Sequence, residues 1–350
     1  MKTGKLLRIR RGVYADREGW ENARPLERYA ATALAIAISP RTYESVFCRE
    51  SALAFHGLGF WNVPRSICIR APSASAAGTW RPPDSSQRKE EEEKEEGESQ
   101  GSKQQGSPSA GTKYPPFPEE RRVRPLAWRD LGLVLGPEDA DPRLAGTEVL
   151  ELAGFRIRVE KLGLALAEAV PRMDPVEANV VLDAVMCGRR TGLRTSTTTS
   201  PRQWTRGQLE SLAGACVSGA ARERYLARVA AASPLSQSAG ESASRAVIRE
   251  LGFEEPELQH RVCDRQGRLV AITDFWWRSV QKAGEFDGLR KYTGNRSYSG
   301  RAAEDVVTEE KIREDDIRAL GIGMVRWVAQ DVRNPALLRT KLEHHGIPDA

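Results

Sequence analysis

The sequence predicts a multidomain chain of mixed α+β and α/β type. Three observations carry that expectation. Short apolar runs of strand length recur between longer runs with helical spacing. A polar stretch at residues 72–122, rich in Ser, Gly, Pro, Gln, Glu and Lys with almost no aliphatic side chains, breaks the pattern. The 350 residues suit roughly two to three domains of about 100–200 residues each. At 40% hydrophobic and 7% aromatic, the chain can fill sizeable cores.

Residues 1–14 place Leu7, Ile9 and Val13 between basic residues, which reads as two short strands joined at Arg11-Gly12. Lys5, Arg8, Arg10 and Arg11 are there candidate phosphate contacts. Residues 20–38 read as one helix, and residues 46–58 as a strand entering a helix stopped by Gly57. His56, on that apolar helix, is expected as a core or capping histidine. Residues 67–69 form another short strand. Residues 72–122 cannot bury enough apolar area to offset their ordering entropy, so a disordered insert is expected. Beyond it, residues 131–135, 149–152 and 155–159 are strand-like. Residues 162–170 and 176–186 are helical, the second with Ala178, Val181, Leu182 and Val185 on one side. A polar linker follows at 195–200, then two further helices within 203–226.

The most informative stretch is Val270-Ala-Ile-Thr-Asp274-Phe-Trp-Trp, followed by Gly284-Glu285-Phe-Asp287-Gly-Leu-Arg-Lys291-Tyr292. Side chains alternate faces along a strand, so Glu285 and Asp287 share a face and Phe286 turns into the core. Asp274, on the preceding strand, can lie beside them. Carboxylates gathered on one sheet edge repel unless a divalent cation joins them, and hard oxygen ligands suit Mg2+ or Mn2+. Asp274, Glu285 and Asp287 are therefore the candidate metal ligands. With Lys291 they form the set that metal-assisted phosphodiester cleavage needs. Phe275, Trp276 and Trp277 are expected to pack the core and its rim. Upstream, Glu241-Ser-Ala-Ser-Arg245 opens a helix through Leu251, then comes a strand, a turn at Asp264-Arg-Gln-Gly267 and the Asp274 strand. Downstream, Glu310-Lys311-Ile-Arg313-Glu314 begins a helix to Leu320, Gly321 ends it, and residues 324–328 form a strand.

This order of helix, strand, strand with Asp, strand with Glu, helix and strand resembles the PD-(D/E)XK nuclease superfamily, closest to its very-short-patch-repair-like branch, over residues 238–346. The resemblance implies a restriction-endonuclease-like α/β domain. It puts Glu241 near the metal. Lys291, Lys311 and Arg313 are candidates to sit over the scissile phosphate, where positive charge stabilises the developing charge. Arg245 would pair with Glu241 or hold a phosphate. The simplest superfamily motif has a lysine two residues after the glutamate. Here Asp287 stands there, as is frequent in this branch, and the general base stays open. The N-terminal Leu-x-Arg-x-x-Arg-Gly-Val-Tyr run resembles the wing hairpin of AbiEi-type winged-helix antitoxins and their transcriptional-regulator relatives. Such proteins carry about three helices before the wing, whereas this sequence opens at the wing. The expected organisation is a truncated winged-helix wing (1–19), a middle α/β domain (20–71 and 123–194) holding the insert (72–122), a helical linker (195–237) and the nuclease-like domain (238–346).

A net charge of +5 and a pI near 9.0 allow nucleic-acid binding without demanding it. The five cysteines are scattered without CxxC spacing, which fits reduced thiols in a cytoplasmic protein, with neither a disulfide framework nor a zinc site. No apolar stretch reaches the roughly 18–20 residues of a membrane span, and no signal-peptide core opens the sequence. The expected function is a Mg2+- or Mn2+-dependent DNA endonuclease or nickase joined to a remnant regulator. The alternative is a non-catalytic DNA-binding regulator or antitoxin of the AbiEi type. DNA is the expected partner, no membrane is, and a cognate toxin or a homo-oligomer is left open.

Overall fold

The computed structural model describes residues 5–10, 12–39, 45–80, 118–124, 146–193, 195, 203–288 and 317–350. Within them the chain is a mixed α/β protein with several sheets and more than one hydrophobic core. Arg11, Lys291, Lys311, Arg313, the strand expected at 131–135, most of the linker expected at 195–200 and most of the helix expected from Glu310 lie outside the described residues.

The N-terminal strands β1 (Leu6–Arg10) and β2 (Val13–Asp16) pair antiparallel. Gly12 takes φ +79 between them, a backbone conformation that favours glycine. The Asp16 side chain accepts the Gly19 amide at 2.7 Å and so caps α1 (Arg17–Asn22). Residues 20–38 were expected as one helix and form two. Proline restricts the residue before it to extended backbone, and Arg24 (ψ 156) separates α1 from α2 (Pro25–Ile38). Leu7, Ile9, Trp20 and Ala35 close a small core of their own under the hairpin.

The middle region begins with β3 (Val46–Phe47), α3 (Arg49–Phe55) and β4 (Ser66–Arg70). Gly57, at φ +79, ends the helical turn as its position in the sequence predicts. Next come β5 (Gly78–Trp80) and β6 (Glu119–Val123). β5 falls inside the segment expected to lack structure and β6 crosses its end, so the insert's flanks belong to the sheet. Glu-Glu-Arg-Arg-Val reads as solvated surface, yet β6 lies parallel to β4 with Glu120 buried. With β7 (Thr147–Leu152) and β8 (Phe155–Glu160) these strands form a six-stranded sheet in the order β5-β6-β4-β3-β8-β7. Helices α4 (Leu162–Ala169), α5 (Pro175–Cys187), α6 (Arg206–Ser211) and α7 (Gly219–Ala231) follow.

The C-terminal region is α8 (Ala239–Glu250), β9 (Glu257–Cys263), β10 (Leu269–Trp277), β11 (Lys282–Asp287), β12 (Gly323–Val328), α9 (Ala329–Arg333) and α10 (Pro335–His344). Its sheet runs β12-β11-β10-β9, antiparallel from β9 to β11 and parallel between β11 and β12. Phe275, Trp277, Val325, Trp327 and Ile248 fill its core. Trp276 is buried too, on the opposite face, with its ring stacked on His260 at 4.6 Å and 5°.

Helix α5 serves both main cores. Ala178, Val181, Leu182 and Val185 pack under the six-stranded sheet, while Val176 and Val180 join the core of the four-stranded one. The two regions are also clamped electrostatically. Arg245 of α8 reaches both carboxylate oxygens of Asp183 on α5 at 3.1 Å, and both side chains are buried. Among the described residues no helix is long and apolar enough to cross a membrane.

Candidate functional site

Strand register decides how the predicted carboxylates meet. Phe275 stands opposite Gly284 and Trp276 opposite Ala283, where the ladder ends, and the next residues along the two strands are Asp274 and Glu285. Phe286 turns the other way, toward α8. Gly240 makes room for it, because a Cβ there would enter the Phe286 ring. Asp274 Oδ2 accepts the Phe286 amide at 3.1 Å, which fixes the carboxylate at the strand edge. Asp287 follows Glu285 on the same face and is partly exposed.

On the other side of Glu285 stands Arg326, its register partner on β12. Arg326 Nη2 lies 3.0 Å from Glu285 Oε2, and Nη1 lies 4.0 Å from Asp287 Oδ2. Sequence reasoning did not assign Arg326 to the site. The only signal was its alternation on a late apolar strand, which fits a structural residue equally well.

Glu241 begins α8 as expected. Ser238 caps the helix by accepting the Glu241 amide at 3.1 Å. The Glu241 side chain is buried and accepts the Gln237 amide at 2.7 Å and the Gln259 side-chain amide at 3.3 Å. Burial pushes its carboxyl above the ordinary glutamate value, against the lowering effect of the Gln237 amide. Gln259 itself takes φ +52, a left-handed conformation unusual for a non-glycine strand residue. The β9–β10 ladder sets Gln259 beside Asp274. A polar row thus runs from Glu241 through Gln259, Asp274 and Glu285 to Arg326 and Asp287.

Arg245 does not belong to that row. Its guanidinium is buried against Asp183, the Ala231 carbonyl (2.7 Å) and Glu255 (3.0 Å), so a phosphate cannot reach it. The expected phosphate contact is a structural bridge instead. Arg10 is similarly engaged: its guanidinium pairs with buried Glu120 of β6, which also accepts from Arg122 at 2.9 Å. Lys5 and Arg8 are exposed on the hairpin, far in the chain from the carboxylates.

Among the described residues, no group of three or more His, Cys, Asp and Glu side chains is placed to hold a metal ion. A two-carboxylate site is a different matter. Mg2+ keeps several waters and is commonly held by only one or two carboxylates together with substrate phosphates. Asp274 and Glu285 fit that smaller donor set in kind and adjacency. No protein-family model, no curated protein and no solved structure matches the chain.

His56, as its apolar helix predicts, is a core residue. It is buried, with Nε2 2.7 Å from the Glu160 carbonyl and Glu148 3.9 Å away. Around it lies a buried charge network without a sequence signal. Arg70 bonds both Glu160 and Glu168, and Arg49 Nε donates to Glu168 at 2.8 Å. Burial raises the Glu160 carboxyl. Burial alone would raise Glu168 too, but Arg70 and Arg49 outweigh it and hold that carboxyl low.

Proposed function

We propose that the C-terminal region is a metal-dependent DNA endonuclease or nickase of the PD-(D/E)XK type. What carries this reading is the β10–β11 register, which ends at Phe275 opposite Gly284 and leaves Asp274 and Glu285 as the next residues on the two strands, with the Phe286 amide bonded to Asp274 and Asp287 next along from Glu285. The order of helix, three antiparallel strands and a fourth parallel strand gives it further support. Asp274 and Glu285 would hold one Mg2+ or Mn2+, with Asp287 at the outer edge. Such an ion lowers the pKa of a bound water and polarises a phosphate. The protein's own residues have three tasks. The Phe286 amide orients Asp274. Arg326 balances Glu285 while no phosphate is present, then turns its fork to the substrate. Glu241 acts through Gln259 as a positioning residue. Lys291, Lys311 and Arg313 complete the proposed phosphate contacts, and DNA is the proposed substrate.

A specific observation favours a second reading. Arg326 already gives Glu285 a counter-charge without a cation, as a non-catalytic DNA-binding regulator or antitoxin of the AbiEi type would require. One assay separates the two. Supercoiled plasmid is incubated with the protein in Mg2+, Mn2+ or EDTA, with Asp274→Ala as control. Nicking that needs the metal and vanishes in the variant supports the nuclease. Plasmid left intact in both metals, or cut equally by the variant, refutes it.

A further inference from the structure

A second site lies away from the carboxylates. Helices α5, α7 and α8 enclose an open cavity of about 330 Å3 whose charged lining is Arg224, Arg228, Arg249 and Glu250. Its floor is made of alanines from α7 and α8. Three cations face one acid in a small volume. Arg224 and Arg228 are one helical turn apart on α7, an arrangement that destabilises an isolated helix.

The guanidiniums are held but far from saturated. Arg224 Nε donates to the Pro171 carbonyl at 3.2 Å, Arg228 Nη1 to the Val170 carbonyl, and Arg249 Nη2 to Asn179 Oδ1 at 3.5 Å. Each guanidinium has five donors, and these bonds engage one apiece. Burial, and then the neighbouring Arg224, lowers the pKa of Arg228. Burial also lowers that of Arg249, with Arg245 adding to the effect and Glu255 opposing it. Each guanidinium is thus held by one oxygen and keeps further donors on its fork, while the acids that attract them are Asp174 for Arg228 and Glu255, Asp183 and Glu250 for Arg249.

We infer that this cavity binds a small phosphorylated ligand, its phosphate held by Arg224, Arg228 and Arg249 and its apolar portion laid on the alanine floor. A phosphate fits better than a carboxylate because its three oxygens can take paired donors from more than one arginine. A small molecule fits better than a nucleic-acid backbone because the volume falls in the range of small-ligand pockets, roughly 300–1,000 Å3, and the floor is apolar. The ligand would bridge α7 and α8 beside α5, the helix shared by both cores.

Calorimetry and thermal melting of the full chain with inorganic pyrophosphate and with AMP test this site. The expected result is saturable one-to-one binding that raises the melting temperature. Arg228→Gln and Arg249→Gln should each weaken it roughly tenfold or more, the size of a lost charge-assisted hydrogen bond. Arg224 is exposed, so Arg224→Gln leaves the cores untouched and should also weaken binding. That variant carries the test where another fails to fold. Absence of heat and of thermal shift with either probe at about 10 mM overturns the inference. So does binding that all three variants retain. Displacement of AMP by a short DNA duplex overturns it in favour of a backbone-phosphate site.

Discussion

Glu285 and Arg326 face each other across the parallel pair β11–β12, with Arg326 Nη2 3.0 Å from Glu285 Oε2. Glu285 is buried, whereas Arg326 is 28% exposed along its side chain. The arginine therefore supplies positive charge to a carboxylate edge and can still swing toward solvent. A cation or a phosphate arriving at this edge competes with, or recruits, that guanidinium.

Removing the arginine tests the relationship. Arg326→Ala leaves Glu285 buried without that counter-charge and should cost about 1–3 kcal/mol, below the full loss of a wholly buried pair because Arg326 is partly solvated. If Asp274 and Glu285 hold a cation, Mn2+ should stabilise this variant more than the wild type. Melting curves with and without Mn2+ read both effects, and an equal Mn2+ shift in the two proteins would remove the shared site.

The Asp183–Arg245 clamp should matter for stability and not for recognition. Arg245→Ala takes the paired guanidinium from the buried Asp183 carboxylate, leaving it the Ser233 and Asn179 amides, and is expected to cost about 3–5 kcal/mol in chemical denaturation. DNA affinity of the folded fraction should be unchanged. A variant as stable as wild type with weaker DNA binding would restore Arg245 to the phosphate contacts.

Gly240 and Phe286 form a steric pair between α8 and β11. Gly240→Ala forces the ring aside and should destabilise by about 1–3 kcal/mol. Adding Phe286→Leu should recover part of that loss, a coupling readable as a double-mutant cycle. Additive losses would mean that the ring is not what limits the first turn of α8.

Much of this was legible in the sequence for a local reason. The β9–β12 strands announce themselves as apolar runs, Asp264 to Gly267 as a turn, and Asp274 and Glu285 as acids closing those runs. What stayed hidden depends on long-range pairing. Arg326 looks like any alternating strand residue until register sets it against Glu285. Glu120 sits in a polar run that reads as surface, yet the sheet buries it between Arg10 and Arg122. Arg49, Arg70, Glu160 and Glu168 are separate charges in the sequence and one network in the fold. Arg245 misled for the same reason, because its partner Asp183 lies on another helix.

His56 gives a pH dependence with a definite sign. Burial holds its imidazole below the ordinary value, with the Glu160 carbonyl and Glu148 opposing and Arg190 reinforcing the shift. The folded protein therefore binds fewer protons than the unfolded chain between the lowered value and the ordinary value near 6.5. Stability from this group is complete above about pH 6.5 and is lost as pH falls through that interval. His56→Gln should flatten that part of the melting-temperature profile. An unchanged slope in the variant would assign it to the neighbouring glutamates.

The N-terminal hairpin separates phosphate contact from structure within a few residues. Lys5 and Arg8 are exposed, whereas Arg10 pairs with buried Glu120. If the hairpin touches DNA, Lys5→Gln and Arg8→Gln should weaken binding to all duplexes alike, and each should lower the salt slope by about one. Their melting temperatures should stay close to wild type. Arg10→Gln should do the reverse: it removes one of the cations paired with buried Glu120 and should cost about 1–3 kcal/mol of stability, with the salt slope of the folded protein unchanged. Fluorescence anisotropy over a salt series, paired with denaturation of each variant, distinguishes the two classes. A stable Arg10 variant with a flattened salt slope would show that the guanidinium leaves Glu120 for a phosphate. Loss of affinity for a single operator sequence in the Lys5 or Arg8 variants would favour the regulator reading, because phosphate contacts carry no base information.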